Sequence, residues 1–206
     1  MKRYLWIFLI LIIVGVIGIF AFNKPNKDGN YTAEKTSINN KNEDVGIFEL
    51  EDNNKEEQIS EFTTKLPNDT EARDDNIKLA CKTLNGTVIK SGDEFSLWDV
   101  LGCPTEETGY EKAKTFTSDG EVIQSYGGGI CQLSTTIYNT VLKVDGLEIT
   151  ERHEHSREVP YIEDGKDAAV SYGNSDLKFK NNLDYDVRIN AEVENRKVKI
   201  SLVRIY

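Results

Sequence analysis

Residues Tyr4 to Phe22, YLWIFLILIIVGVIGIFAF, carry no charged side chain. No other stretch limits the chain so strongly. A helix over this run would reach about 28 Å at about 1.5 Å per residue, the hydrocarbon thickness of a bilayer. Lys2 and Arg3 precede it, and basic residues flanking a span favour the cytoplasmic side. The run exceeds the roughly 7 to 15 residue apolar core of a signal peptide, and no clear A-x-A cleavage site follows. Residues 1–22 are therefore expected to be a cytoplasmic tip and single-pass membrane anchor, with everything after Phe22 outside the cell. A cleaved signal peptide is the alternative.

Residues 23–60 change character. They are rich in Asn, Lys, Asp and Glu, and show no sustained hydrophobic period. Such a stretch cannot bury enough apolar surface to offset its chain entropy, and a disordered polar linker is expected. Val45 to Leu50, VGIFEL, is its one apolar patch. The net charge of -10 argues against nucleic acid as a partner, because nucleic acid selects basic surfaces.

Residues 61–206 are expected to form one domain. Asp74 or Asp75 can cap a helix whose apolar face is Ile77, Ala80, Cys81 and Leu84. GTVIKSGDEFSL reads as two short strands around Ser91-Gly92-Asp93. Residues 99–126 are turn-rich and give no clear assignment. A second helix is expected over Cys131 to Lys143, with Ile130, Leu133, Ile137 and Val141 on one stripe. Strands are expected at 147–152, 168–172 and 177–181. Val187, Ile189, Ala191 and Val193 alternate, as do Val198, Ile200 and Leu202 beyond a turn at 194–196, the pattern of a terminal hairpin with one buried face. Helices first and strands later imply α+β, with the Cys131 helix packed on a mainly antiparallel sheet.

The chemistry gathers at GGGICQLSTTIYNTVL, residues 127–142. Cys131 falls at a helix start, where free N–H groups and the helix dipole favour a thiolate, the reactive form. Gly127, Gly128 and Gly129 leave room for a substrate backbone. Cys131 as simple packing is the bland alternative. The two histidines of the chain, His153 and His155, lie together in ERHEHSRE. If the preceding strand continues, both rings face one site. Cys131 as nucleophile, His155 as base (His153 second) and Asp167 as orienting acceptor, with Asp164 and Asp176 as alternatives, would satisfy the logic of a triad. That chain order matches the transglutaminase-like branch of papain-like folds. A zinc site at Cys131, His153 and His155 is a second possibility from the same residues. Arg152 and Arg157 nearby would favour a thiolate or a bound carboxylate.

The segments NGTVIKSGDEFSL, ETGYEKAKTF, GGGICQLSTTIYNTVL, LEITERHEHSREVPYI and GKDAAVSYGNSDLKFKNNLDYDVRI resemble the VanW family, from about Phe62 to about Val193. Gly127, Gly128, Gly129, Cys131, Gln132, Ser134, His153, His155, Ser156, Arg157, Asp167, Tyr172 and Gly173 fall on positions that mark its motif. Its members are bacterial envelope proteins, some encoded beside vancomycin-resistance genes. The resemblance implies a place outside the membrane and peptidoglycan or its peptide precursors as partner. It does not supply a reaction.

Together these readings give a membrane-anchored cysteine hydrolase or transpeptidase of wall peptide or amide bonds, without a cofactor. Gly127, Gly128, Gly129, Gln132, Ser134, Arg152 and Arg157 would line the substrate. The rival is a non-catalytic module that binds wall peptide or an envelope partner. Outside the membrane disulfides are permitted, and three cysteines leave one over. Cys81–Cys103 is the expected pair with Cys131 free. The alternative is a buried free Cys81 and an exposed Cys103.

Overall fold

A computed structural model describes residues 56–117 and 120–206. The anchor expected at 1–22, and the linker expected at 23–60 as far as residue 55, lie outside the described residues. No helix among the described residues is long and apolar enough to cross a membrane.

The C-terminal alternation builds the centre of the largest sheet. Strands β8 (Asp186–Glu194) and β9 (Lys197–Ile205) pair antiparallel across a two-residue turn. Asn195 and Arg196 sit there at φ 49° and 58°, a left-handed pair whose twist matches that of the strands it joins. Val187, Ile189, Ala191, Val198, Ile200 and Leu202 are buried, and Val193 is half-buried. Strand β1 (Glu57–Lys65) adds to β9, and the two-residue β2 (Val88–Ile89) adds to β8, giving the order β1-β9-β8-β2. The first strand thus starts four residues ahead of the boundary expected at 61. Its inward residues, Ser60 and Thr64, are polar, so no apolar alternation announces it.

Helices α1 (Glu71–Leu84) and α3 (Ile130–Val141) pack on this sheet and on each other. Ile77, Ala80, Cys81 and Leu84 face the core as expected, as do Ile130, Leu133, Ile137 and Val141. The cap of α1 is Thr70, whose side chain accepts from the Arg73 N–H. The helix starts a turn before the expected Asp74 or Asp75; Asp74 lies inside its first turn, where a carboxylate complements the dipole.

A second sheet has the order β3-β7-β6, built from β3 (Glu94–Ser96), β6 (Leu147–Glu151) and β7 (Lys178–Asn181). The strands expected around Ser91-Gly92-Asp93 both exist, but they do not pair as a hairpin: β2 joins β8 and β3 joins β7. Buried Asn181 fixes that crossover, donating to the carbonyls of Ile89 and Tyr185 at 3.1 and 2.9 Å. The unassigned stretch 99–126 holds most of the short helix α2 (Leu97–Leu101) and a separate hairpin, β4 (Lys112–Phe116) with β5 (Val122–Tyr126). Phe116, Val122 and Ile123 of this hairpin are exposed. The fold is α+β with antiparallel sheets.

The expected strand at 168–172 is a correction. Only two isolated bridges occur there, His153 with Ala169 and Ser171 with Ser175. The segment is instead laid along α3. Asn139 donates to the Lys166 carbonyl at 2.7 Å, the Ala168 N–H donates to Thr135 at 3.0 Å, and the Cys131 thiol donates to the Val170 carbonyl at 3.4 Å. Cys131, Thr135 and Asn139 are spaced by four and share a helix face. Eight helical residues rise about 12 Å and four extended residues about 13 Å, so the two repeats stay in step. The alternation of the segment is real, but its partner is a polar helix stripe.

The expected Cys81–Cys103 disulfide is also overturned, since all three cysteines are free. Cys81 points into the core at 2% exposure, whereas Cys103 is exposed just beyond α2. Without the expected hairpin between them, nothing brings the two together. Burial pushes the Cys81 thiol up to about 12, so it stays protonated and inert. Iodoacetamide on the native, unreduced protein is therefore expected to label Cys103 and Cys131 and to leave Cys81 untouched until denaturant is added. Recovery of Cys81 and Cys103 only after reduction would restore the disulfide.

Candidate active site

The turn before α3 sets where Cys131 can be. Gly127 and Gly129 have φ of 77° and 113°, and Gly129 is the left-handed N-cap of the helix. A Cβ on Gly127 would lie 2.8 Å from the Pro104 side chain, and one on Gly129 would lie 2.8 Å from Ile77. On Gly128 it would lie 2.8 Å from the carbonyl carbon, oxygen and Cβ of Ala113. The Cβ side of each glycine is thus filled by the protein's own atoms, while Gly129 also borders the cavity beside Cys131. The glycines let α3 start hard against α1 and β4. Asn76 of α1 locks the arrangement, donating to the carbonyls of Gly128 and Glu111 and accepting from the Glu111 N–H.

The N–H groups of Ile130 and Gln132 are bonded back to Gly127 and Gly129 at 3.1 and 2.9 Å. The Cys131 N–H has no backbone carbonyl partner among the described residues, as befits a donor in the first turn. Gln132 points the other way, is fully buried, and holds Thr64, the Lys65 carbonyl and Arg73. Ser134 is fully buried as well. Neither reaches the cavity beside Cys131.

His155 lies just beyond β6, and the loop after it returns to bring Asp167 against it. The Nδ1 of His155 is 2.5 Å from Asp167 Oδ2, and its backbone N–H donates to the same oxygen at 2.6 Å. Both side chains are more than nine-tenths buried. Arg152 holds the far side of Asp167, with Nη2 donating to Oδ1 at 3.1 Å and Nε donating to the carbonyl at 2.7 Å. Its remaining bonds go to Glu154 and the Gly165 carbonyl, and it stands over the Tyr138 ring. Arg152 thus positions Asp167 and has no fork free for substrate.

Cys131 and His155 stand in the wall of one cavity, and the Cys131 sulfur is among the groups that act on the His155 ring. With Nδ1 given to Asp167, the ring's Nε2 is the nitrogen left for that sulfur. Burial pushes the His155 pKa down, but Cys131 and Asp167 together outweigh it, and the net direction is up. Burial also pushes Asp167 up, yet the N–H and ring of His155 pull it below the ordinary carboxylate value. Asp167, His155 and Cys131 therefore follow one another in a line, the first two hydrogen-bonded and Cys131 beside them in the same cavity wall.

His153 does not join it. Its Nε2 is 3.0 Å from Glu151, and its side chain is 46% exposed. Arg157 lies over the Phe116 ring at 4.8 Å and is not itself in the cavity wall. No three His, Cys, Asp or Glu side chains converge on a metal position among the described residues. The zinc set of Cys131, His153 and His155 is not brought together, since the Nε2 of His153 is turned to Glu151.

An open cavity of about 1080 Å³ lies over the line, with Gly129, Cys131, His153 and His155 in its wall. Two further wall residues, Arg73 and Tyr161, carried no signal in the sequence reading, although Tyr161 lies within the motif segment ending VPYI. Burial, and then the nearby Cys131 sulfur, push the Tyr161 phenol far up. It remains an O–H donor at any working pH.

The model for "VanW like protein" matches residues 72–203, running through the terminal hairpin. An uncharacterized protein of Bacillus subtilis strain 168, YoaR, is 35% identical over 136 residues, which cover 66% of this chain and 44% of that one. The vancomycin B-type resistance protein VanW of Enterococcus faecalis strain ATCC 700802 / V583 is 34% identical over 128 residues, covering 60% of this chain and 46% of that one. The matched part spans less than half the length of either relative. No solved structure matches the chain.

Proposed function

The chain belongs to the VanW family, and from that premise we propose that it is a cysteine hydrolase or transpeptidase of the cell envelope, acting on peptide or amide bonds of peptidoglycan. The observation that carries this reading is the buried His155 side chain, held by Asp167 at 2.5 Å in a cavity wall that it shares with Cys131. The run Tyr4–Phe22 would anchor the chain with the domain outside. The order of a helix-start cysteine, a later histidine and an acidic partner supports a likeness to transglutaminase-like enzymes, and that likeness is part of the proposal. The name of the enterococcal relative links the family to vancomycin resistance, and a role for this chain in glycopeptide tolerance follows as a corollary.

In this mechanism Cys131 Sγ gives its proton to His155 and attacks the substrate carbonyl carbon. The carbonyl oxygen becomes an oxyanion that the Cys131 N–H can hold. Collapse breaks the C–N bond, His155 returns the proton to the leaving amine, and an acyl thioester remains on Cys131. Water, or the amine of a second wall peptide, then attacks the thioester with His155 as base. Asp167 fixes the ring and stabilises its cationic form. Muropeptides incubated with the full chain are expected to leave an acyl adduct on Cys131, visible as an added mass on that peptide. A chain that binds muropeptide with no adduct and no turnover would be the binding module instead.

The sign of the His155 shift gives a pH test. His155 must be neutral in the free enzyme to take the Cys131 proton, so kcat/KM falls on the acid side as the ring gains its charge. Its pKa is raised, which puts that limb above the ordinary histidine value of about 6.5. Asp167→Asn removes one raising influence, so the limb in kcat/KM is expected to move to lower pH. A limb that stays in place would mean Asp167 does not act through His155.

A further inference from the structure

Arg73 is the charged group that the mechanism leaves unused. It is 7% exposed and stands in the wall of the Cys131 cavity. Its Nη2 donates to Gln132 at 2.9 Å, so the residue after Cys131 fixes its position. Its acidic neighbour, Asp69, is 3.9 Å from Nε, a long contact. Its Nη1 is buried and has no hydrogen-bond partner among the described residues. A guanidinium is always charged, and its parallel donors match a carboxylate. Leaving one donor of a buried cation unfilled is costly, and Gln132 supplies a neutral oxygen where a counter-charge would be expected. The other charged groups in the cavity wall are Asp69, Lys114 and Glu154. Tyr161 stands beside the guanidinium, its ring centroid 6.0 Å from Cζ.

We propose that Arg73 binds the free C-terminal carboxylate of the substrate, so that this chain acts on wall peptides near their carboxyl end. Nη1 is closed to solvent as it stands, so a carboxylate reaches it by a shift of the guanidinium toward the cavity, and the end of a peptide demands less of that shift than its middle. The cavity, at about 1080 Å³, lies at the top of the small-ligand range of about 300–1,000 Å³ and admits several residues. The placement of the scissile bond rests on Cys131 as nucleophile, while the anion site itself stands without it.

The test uses the full chain carrying Cys131→Ser, titrated calorimetrically with N-acetyl-Lys-D-Ala-D-Ala and with its C-terminal amide. The acid is expected to bind about tenfold tighter or more, as for one charge-assisted pair. Arg73→Gln should erase that ratio, and Arg73→Lys, which keeps the charge and loses the fork, should retain part of it. A thermal melt of each variant reports folding, and the lysine variant carries the test if the glutamine one does not fold. Equal affinity for acid and amide in the Cys131→Ser chain overturns the assignment. So does an acid preference unchanged in a folded Arg73 variant. If the preference holds but the wild-type chain forms no acyl adduct, the nucleophile reading falls and the Arg73 site stands. If the wild-type chain turns over acid and amide alike, the nucleophile stands and the Arg73 site falls.

Discussion

Cys131→Ala is expected to lower turnover of wall peptide by a factor of about 10⁴ or more while leaving the domain folded. The sulfur is the only group proposed to bond to substrate, so nothing replaces it. The structural cost is small by comparison. The thiol is partly buried and makes one weak bond, to the Val170 carbonyl at 3.4 Å, worth about 1 kcal/mol at most. His155→Ala should approach the same loss of turnover, since the thiol then has no base. His153→Ala should stay within about tenfold of wild type, because that ring is committed to Glu151 outside the line. The three variants, assayed by muropeptide mass spectrometry beside a thermal melt, separate mechanism from folding. Wild-type turnover in Cys131→Ala, or equal losses for the two histidines, would end the triad reading.

Gly128→Ala is expected to be the most damaging single methyl in the domain. Its new carbon would lie 2.8 Å from three atoms of Ala113, two of them backbone carbonyl atoms within β4. No side-chain rotation relieves that contact. Either the hairpin or the α3 start must move, and both are tied to Asn76. A cost of about 3 kcal/mol or more is expected from such overpacking, a large part of a typical 5–15 kcal/mol, by the usual range. In a domain of this size that lowers Tm by roughly 10 °C. Gly92→Ala is the control. Gly92 has φ +86° with open space around it, so it should lose only about 1–2 kcal/mol for left-handed strain. Similar melting temperatures for the two variants would show that the contact with Ala113 is readily relaxed.

The parts of the fold that were legible from sequence are those where apolar side chains keep a single period. The two helix stripes and the C-terminal hairpin are of this kind, and they make most of the core. The polar interior was not legible. Thr64, Thr136, Gln132 and Arg73 form a buried network, yet each residue reads as surface. That is why β1 went unassigned and Gln132 looked like a substrate residue. The β4–β5 hairpin failed for the opposite reason, because Phe116, Val122 and Ile123 are apolar and exposed. At the site, Cys131, His155 and Asp167 could be named by residue type and order, but spacing alone could not choose between His153 and His155. The choice is made by the loop that returns Asp167 to His155, and no local pattern encodes that closure. Arg73 comes from α1, well upstream, and only tertiary packing brings it to Cys131.

The polar seam between α3 and Lys166–Val170 has a consequence for how lineages of this protein can change length. Three bonds along the seam match every second residue of the segment to every fourth residue of the helix. Adding or deleting one residue between Lys166 and Val170 would exchange inward and outward side chains beyond that point and carry Asp167 away from His155. The loop from Ser156 to Gly165 meets no such constraint, since its two ends are held by His155 and Arg152. Length variation among relatives should therefore collect in that loop and be absent from the seam. An insertion there would enlarge or narrow the mouth of the cavity around Pro160 and Tyr161, which makes it the cheapest place for substrate range to diverge while the reacting groups stay fixed.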